Sequence, residues 1–312
     1  MRPVVIAHRG ASGYLPENTL AAKALGHEMG ADYLEQDVVA SRDDELVVLH
    51  DIHLDRVSDV TTRFPGRQRA DGRYYARDFD LEEIRTLRAW ERMNADGSPV
   101  YPGRYPPQSG EFRLNTLAEE LAFIQKLNTD SGTVVGIYPE IKRPAWHREE
   151  GIDIAPKLLG VLSEFGYDDR EDPIYLQCFD DAEVRRLKYE LNCPFKLVQL
   201  IGENTWLEAA TDFNALRTED GIRKLAKTAD AIGPHLSHLY QLHGDDAVPV
   251  SSGLVERAHA AGLLVHPYTF RVEEVPPGFS SFAELVRYFL EDLEVDGLFT
   301  DFPDQVLALR LP

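Results

Sequence analysis

The sequence has only two cysteines in 312 residues, Cys178 and Cys193. Between them lies "FDDAEVRRLKYELN", which has helical character. A helix of that length holds its ends roughly 15–20 Å apart, whereas a disulfide needs Cα atoms within about 7 Å. The spacing therefore predicts two free thiols, and the cysteines say nothing about redox compartment. Cationic residues are also in deficit: 33 Lys and Arg stand against 53 Asp and Glu, a formal net charge of −20. That balance argues against nucleic acid or an anionic membrane as partner, since both demand basic patches. An anionic substrate would have to find a local positive site against an unfavourable global field. No apolar run has the length of a membrane span, so stable membrane insertion is not expected. The N-terminus, Met1-Arg2-Pro3, runs into a strand without a signal-peptide pattern, which leaves a cytoplasmic location or a trimmed mature form. There is no phosphate-binding loop and no GxGxxG after the first strand, which weakens a doubly wound nucleotide-binding sheet.

What is present is a rhythm. Strand-like runs occur at 3–7, 32–39, 133–142, 173–179, 195–201, 229–235, 263–270 and 296–302. Between several of them, "ENTLAAKALGHEMG", "IDIAPKLLGVLSEFG", "DDAEVRRLKYELN", "SGLVERAHAAG" and "FAELVRYFLEDL" place apolar residues at helical spacing. Gly30, Gly166 and Gly262 stand as helix stops. Strand and helix alternating eight times predict a (β/α)8 TIM barrel, one domain over 1–312. A further strand, "ELVVLH" at 45–50, folds back antiparallel on the second strand through a turn centred on Asp43-Asp44. Counting outward from that turn sets Asp37 opposite His50, a register that a one-residue slip would alter. Residues 52–115, rich in Gly, Pro, Arg and Tyr, break the rhythm. They are expected to form an inserted loop or small subdomain after the second strand and its hairpin, shaping the site and its choice of substrate.

In such a barrel the C-terminal strand ends carry the chemistry. Strand one ends in His8-Arg9, followed by Gly10, which lets the backbone turn or come close to a ligand. Strand two carries Glu35 and Asp37, the hairpin ends in His50-Asp51, and strand three ends in Glu140 and Lys142. Residues two apart on a strand share a face, so Glu35 aims with Asp37 and Glu140 with Lys142. Singly these have ordinary explanations: a turn, solvent-facing alternation, a surface ion pair. Jointly, at consecutive strand ends, they form a constellation. Three neighbouring carboxylates call for a cation between them, and all-oxygen ligation favours Ca²⁺ or Mg²⁺ over zinc. Two histidines then remain for acid–base work near neutral pH, and Arg9 and Lys142 offer donors to a phosphate or carboxylate. The set points to hydrolysis of a phosphate ester. Most other histidines, including His235, His238 and His243, are expected on surfaces or loops, with His266 on a barrel strand.

The motifs "IAHRGASGYLPENT", "GADYLEQDVVASRDDELVVLHD", "GIYPEIK", "YLQCFD", "LVHPYT" and "DGLFTDFPD" together resemble the glycerophosphodiester phosphodiesterase family, in its longer periplasmic type. "LDRVSDVTTRFPGR" and "DGRYYARDF" resemble the insertion of that type. The resemblance implies a barrel enzyme that hydrolyses glycerophosphodiesters such as glycerophosphocholine and glycerophosphoethanolamine to sn-glycerol 3-phosphate and an alcohol. It implies His8 and His50 as catalytic residues, Glu35, Asp37 and Glu140 as ligands of one divalent cation, Ca²⁺ ahead of Mg²⁺, and Arg9 and Lys142 as phosphate contacts. Glu17 and Asn18 of "PENT" would lie near the phosphate site, and Gln177 and Tyr268 would line the pocket. It also implies a periplasmic or secreted location, in contrast to the missing leader. The oligomeric state stays open.

Overall fold

The structure is a computed structural model that describes residues 2–244 and 248–310. Its strands are β1 (Val4–Ala7), β2 (Tyr33–Ala40), β3 (Leu46–Val48), β4 (Gly136–Ile141), β5 (Tyr175–Cys178), β6 (Lys196–Ile201), β7 (Ala231–Pro234), β8 (Tyr240–His243), β9 (Val248–Ser251), β10 (Leu264–Val265) and β11 (Gly297–Thr300). The main sheet runs β10-β7-β6-β5-β4-β2-β1-β11, with β3 paired to β2 on the side. Every ladder along that path is parallel. Segment 265–270 closes the ring. Asp296 N–H donates to the Val265 carbonyl, Phe270 N–H to that of Phe299, and Phe270 bridges Thr300. This is the expected eight-stranded barrel. The seventh expected run, 263–270, keeps only two ladder residues, because Pro267 has no N–H to give and the remainder pairs through single bridges. A fifteen-residue helix at Leu117–Ser131, absent from the helical stretches recognised in the sequence, covers the outside of the barrel near β3. Both cysteines are free, as their spacing predicts, and both are buried.

The pleat sorts side chains by height. Tyr33, Glu35 and Asp37 share the inner face of β2, and Tyr138 and Glu140 that of β4, in register as Glu35 with Tyr138 and Asp37 with Glu140. Low in the barrel the inner residues are apolar or aromatic: Ile6, Tyr138, Tyr175, Val198, Ala231 and Phe299 form one cluster. At the carboxyl ends they turn polar. The floor is tightly filled: a Cβ at Gly136 would lie 2.4 Å from the Tyr33 ring, so this position needs glycine.

The hairpin register differs from the expected one by one residue. Val38 pairs with Val48, Val39 with Val47 and Ala40 with Leu46, so Asp37 lies opposite Leu49, whose N–H donates to the Asp37 carbonyl at 2.9 Å. The loop holds three residues, Arg42 to Asp44, and Asp44 takes positive φ at 65°. An odd loop sets the axis of the hairpin on Asp43 rather than between two residues. His50 therefore follows the strand instead of pairing within it. Residues 52–115 pack around their own apolar group, including Leu54, Val57, Phe79, Ile84 and Leu87, joined to Val39, Val47 and Leu49 of the hairpin. The insertion is thus continuous with the barrel wall.

Candidate active site

Glu35, Asp37 and Glu140 converge at the carboxyl end of the barrel. All three are buried, and one oxygen from each lies within 4.8 Å of the other two. Donors surround them. Arg9 N–H donates to Glu35 Oε2 at 2.9 Å and Gln177 Nε2 to Glu35 Oε1 at 3.0 Å. Asn18 Nδ2 donates to Asp37 Oδ2 at 2.8 Å, and Arg9 Nε lies 3.3 Å from the same oxygen. Lys142 Nζ lies 2.8 Å from Glu140 Oε1 and 3.7 Å from Asp37 Oδ1. Asp37 Oδ1 has no hydrogen-bond partner among the described residues. Burial, reinforced by the charge of Asp37, pushes Glu35 well above the usual carboxylate range. Burial pushes Glu140 to about 7, with Lys142 opposing. Asp37 moves the other way: burial would raise it, but His50, Arg9 and Lys142 hold it down. Like charges packed this closely need an opposite charge among them.

The two histidines flank the trio. His8 Nε2 lies 3.7 Å from Glu35 Oε2, while its Nδ1 meets Asp301 Oδ1 at 2.6 Å. His50 Nδ1 meets Asp51 Oδ1 at 2.7 Å. Because a carboxylate accepts at each Nδ1, that nitrogen carries the proton and Nε2 of the neutral ring is left with its lone pair free. Burial and the neighbouring Arg9 charge push His8 down to about 3, against the pull of Asp301. Burial and Arg9 lower His50 as well. Asp301 stays well below the ordinary range: burial works against ionisation, but Arg271 and His8 more than offset it.

The histidines form the waist of two cavities that share His8, Arg9, His50 and Arg271. One, of about 210 Å³, runs past Glu35, Glu140 and Gln177 to a wall of Phe179, Trp206, His235 and Tyr268. The other, of about 190 Å³, is lined by Ser12, Glu17, Arg92, Tyr101, Arg104 and Asp301. The insertion thus lines the second cavity and contributes nothing to the aromatic wall of the first.

Gln177 and Tyr268 line the first cavity as expected, with the Tyr268 hydroxyl donating to the Ile201 carbonyl at 3.1 Å. Arg9 lines both cavities. Lys142 opens instead on a small adjoining space beside His50 and Asp51. Glu17 pairs with Arg9 at 3.0 Å and Arg92 at 2.6 Å, and Asn18 stands behind Asp37, so the "PENT" residues hold the groups facing the cavity. Gly10 (φ 88°) lets the backbone approach a helix: a Cβ there would lie 2.5 Å from the Ala22 carbonyl carbon. His266 is buried, in keeping with its expected place on a barrel strand, whereas His238 is buried in a short helical turn and His235, in the loop after β7, packs edge-on against Trp206 and Tyr268 in the cavity wall, so neither is the solvent-facing residue expected. Sequence reasoning missed Asp301, Arg271, Arg92 and Arg104. Asp301 carried a signal, since it directly follows β11 at the carboxyl end where the other site residues were sought.

The glycerophosphoryl diester phosphodiesterase family model matches residues 8–305. The chain belongs to that family. It is 40% identical to the glycerophosphodiester phosphodiesterase of Haemophilus influenzae, over 96% of this chain and 88% of the relative. It is 37% identical to that of Treponema pallidum, over 96% and 90%. Among solved structures it is similar to a glycerophosphodiester phosphodiesterase from Agrobacterium tumefaciens, with TM-score 0.64 and 21% identity over 98% of this chain and 99% of that one. It is also similar to an Oleispira antarctica phosphodiesterase in complex with the product sn-glycerol-3-phosphate, with TM-score 0.65 and 21% identity over 99% and 96%. Family membership with 37–40% identity over nearly the full length makes this chain a phosphodiesterase acting on glycerophosphodiesters. Among the described residues no helix is long and apolar enough to cross a membrane.

Proposed function

We propose that this phosphodiesterase cleaves glycerophosphodiesters of small alcohols, such as glycerophosphocholine and glycerophosphoethanolamine, to sn-glycerol 3-phosphate and the alcohol. His8 and His50 serve as its acid–base pair, and one divalent cation is held by Glu35, Asp37 and Glu140. The observation that carries the proposal is the placement of two carboxylate-backed imidazoles on a cavity lined by Glu35 and Glu140 of the acidic trio. The trio fits a hard cation: three buried oxygen donors with mutual repulsion, one of them an Asp37 oxygen without a hydrogen-bond partner. Calcium is favoured over magnesium, as the looser demand on geometry suits a three-carboxylate site. When bound, the cation would supply positive charge to the phosphoryl oxygens as negative charge grows there.

The chain's own residues do the rest. Arg9 adds charge at the junction of the two cavities and Lys142 at the side of the trio. His50, neutral with Nε2 free, removes the proton from the attacking oxygen. His8 gives a proton to the leaving alkoxide. The incoming diester brings negative charge beside His8 that favours its imidazolium, and Asp301 stabilises that form. The attacking oxygen is water or the glycerol 2-hydroxyl, the latter giving a cyclic phosphate that water then opens.

The test is release of glycerol 3-phosphate from choline, ethanolamine and glycerol diesters, with added Ca²⁺ or Mg²⁺ and with a chelator, for wild type, His8→Ala and His50→Ala. Each variant is expected to lose about 10²–10⁴-fold in turnover. Full turnover in either, or a rate untouched by exhaustive metal removal, overturns the proposal. Phosphorus NMR during turnover distinguishes a cyclic intermediate from direct hydrolysis.

A further inference from the structure

The two histidine–carboxylate pairs share a feature beyond their contact with the histidines. Each carboxylate is gripped by an arginine that the insertion delivers. Arg92 Nη1 lies 2.7 Å from Asp51 Oδ2, the oxygen not used by His50, while its Nε and Nη2 hold Glu17 at 3.0 and 2.6 Å. Arg104 Nη2 lies 2.7 Å from Asp301 Oδ2, the oxygen not used by His8, and its Nε donates to Glu273 Oε1 at 2.8 Å. Both guanidiniums are largely withdrawn from solvent, with side-chain exposures of 15% and 5%. Arg104 also stacks on Tyr101, whose hydroxyl donates to Glu274 at 2.8 Å, fastening this part of the insertion to the loop after β10.

We propose that Arg92 and Arg104 are positioning residues of the reaction: each fixes, through one carboxylate, the ring of one acid–base histidine, so the insertion completes the catalytic apparatus. A carboxylate with two oxygens can swing about its Cβ–Cγ bond. An arginine on the second oxygen stops that rotation and so aims the imidazole bonded to the first. Each guanidinium already faces two carboxylates, Asp51 and Glu17 for Arg92 and Asp301 and Glu273 for Arg104, which makes them poor free sites for an anionic substrate although they line a cavity. The two grips are unequal. Asp301 is also held by Arg271 Nε at 2.7 Å, whereas Arg92 is the one arginine on Asp51 among the described residues. Losing Arg92 should therefore cost more than losing Arg104.

The inference rests on the two-histidine reading, and the experiment separates them. Turnover is measured on glycerophosphocholine and on the 4-nitrophenyl ester of glycerol 3-phosphate, whose leaving group needs no proton. The variants are Arg92→Ala, Arg104→Ala, Arg92→Lys, Arg104→Lys, His8→Ala and His50→Ala, with melting temperatures alongside. Should an alanine variant fail to fold, Arg92→Gln or Arg104→Gln carries the same readout. The expected result is a fall in kcat of about 10–100-fold for the arginine-to-alanine variants, little change in KM, and partial recovery with lysine. Arg104→Ala should share the leaving-group pattern of His8→Ala, sparing the nitrophenyl ester, and Arg92→Ala that of His50→Ala, impaired on both esters. If the pairs keep their matching but exchange patterns, the inference stands and the acid and base trade places. A raised KM with kcat intact makes the arginines substrate contacts and overturns it. So does wild-type kcat in folded arginine variants while the histidine variants are dead, which leaves the two-histidine reading intact. Active histidine variants defeat that reading and this inference together.

Discussion

His8 Nδ1 and Asp301 Oδ1 lie 2.6 Å apart across 293 residues of chain, joining the first barrel strand to the last. The contact is possible because β1 and β11 are neighbours in register, Ala7 beside Thr300, so the residues that follow each strand emerge together at the barrel mouth. It fixes the proton on Nδ1 and leaves Nε2 to the cavity.

Asp301→Asn tests that function of the carboxylate. The amide can keep the shape of the contact but presents a donor or a weaker acceptor, so the wrong tautomer and a poorer imidazolium result. Turnover on glycerophosphocholine should drop by about 10²–10⁴-fold, with a lowered melting temperature as well, because Arg104 and Arg271 lose the anion they share. A variant with wild-type kcat would remove the dyad from the mechanism.

Metal removal should also change stability. The acidic trio holds two carboxyls raised by burial and mutual repulsion, and a dication that binds the folded state alone relieves that repulsion. Added Ca²⁺ at one hundred times its dissociation constant should contribute about 2.7 kcal/mol. The check is a scan of melting temperature against Ca²⁺ and Mg²⁺ for wild type and Glu35→Gln. A response of equal size in both proteins counts against the trio as the binding site.

Lys23 is fully buried and pairs with the equally buried Glu120 at 2.8 Å, while its ammonium also reaches the Glu35 carbonyl and Asn18 Oδ1. It thereby ties a buried ion pair to the backbone of a candidate metal ligand. Lys23→Met leaves Glu120 without its cation and should cost about 3–5 kcal/mol in urea unfolding. The double change Lys23→Met with Glu120→Met should recover a large part of that loss. A single variant as stable as wild type would contradict the pairing.

Acid sensitivity should arise in part from His147. Its Nε2 accepts from the Ala40 N–H at 3.2 Å and its Nδ1 donates to the Arg143 carbonyl at 3.0 Å, so the neutral ring satisfies both neighbours. A second proton would face a donor, and burial pushes the group down to about 4. The unfolded chain takes up that proton near pH 6.5 and the folded chain only near 4. The unfolded state therefore binds more protons between those values, and stability falls as pH drops through that window, by roughly 3 kcal/mol for this group. His147→Gln should flatten the stability profile between pH 6.5 and 4. An unchanged slope would acquit His147.

The barrel was legible because it is encoded locally. Alternation in strands such as "DYLEQDVV" and helical spacing in "IDIAPKLLGVLSEFG" are each written in adjacent residues. The strand-end rule then located His8, Glu35, Asp37, His50 and Glu140 without knowledge of any contact. The hairpin slip shows where local evidence ends: whether the loop takes two residues or three depends on Asp44 adopting positive φ, which the letters alone leave open. The helix at Leu117–Ser131 has no counterpart among the expected helices, although its capping box, Thr116 with Glu119, is plain in the sequence.

By itself, the sequence determined the architecture, the acidic trio and the two histidines, since periodicity sets which face a side chain takes and strand order sets which end it reaches. Only the tertiary structure decided what holds those histidines. Asp301, Arg104 and Arg92 come from the last strand and from an insertion without periodic pattern, and they reach the site through long-range closure and ion pairing. Such contacts depend on geometry between distant segments, and no spacing along the chain records them.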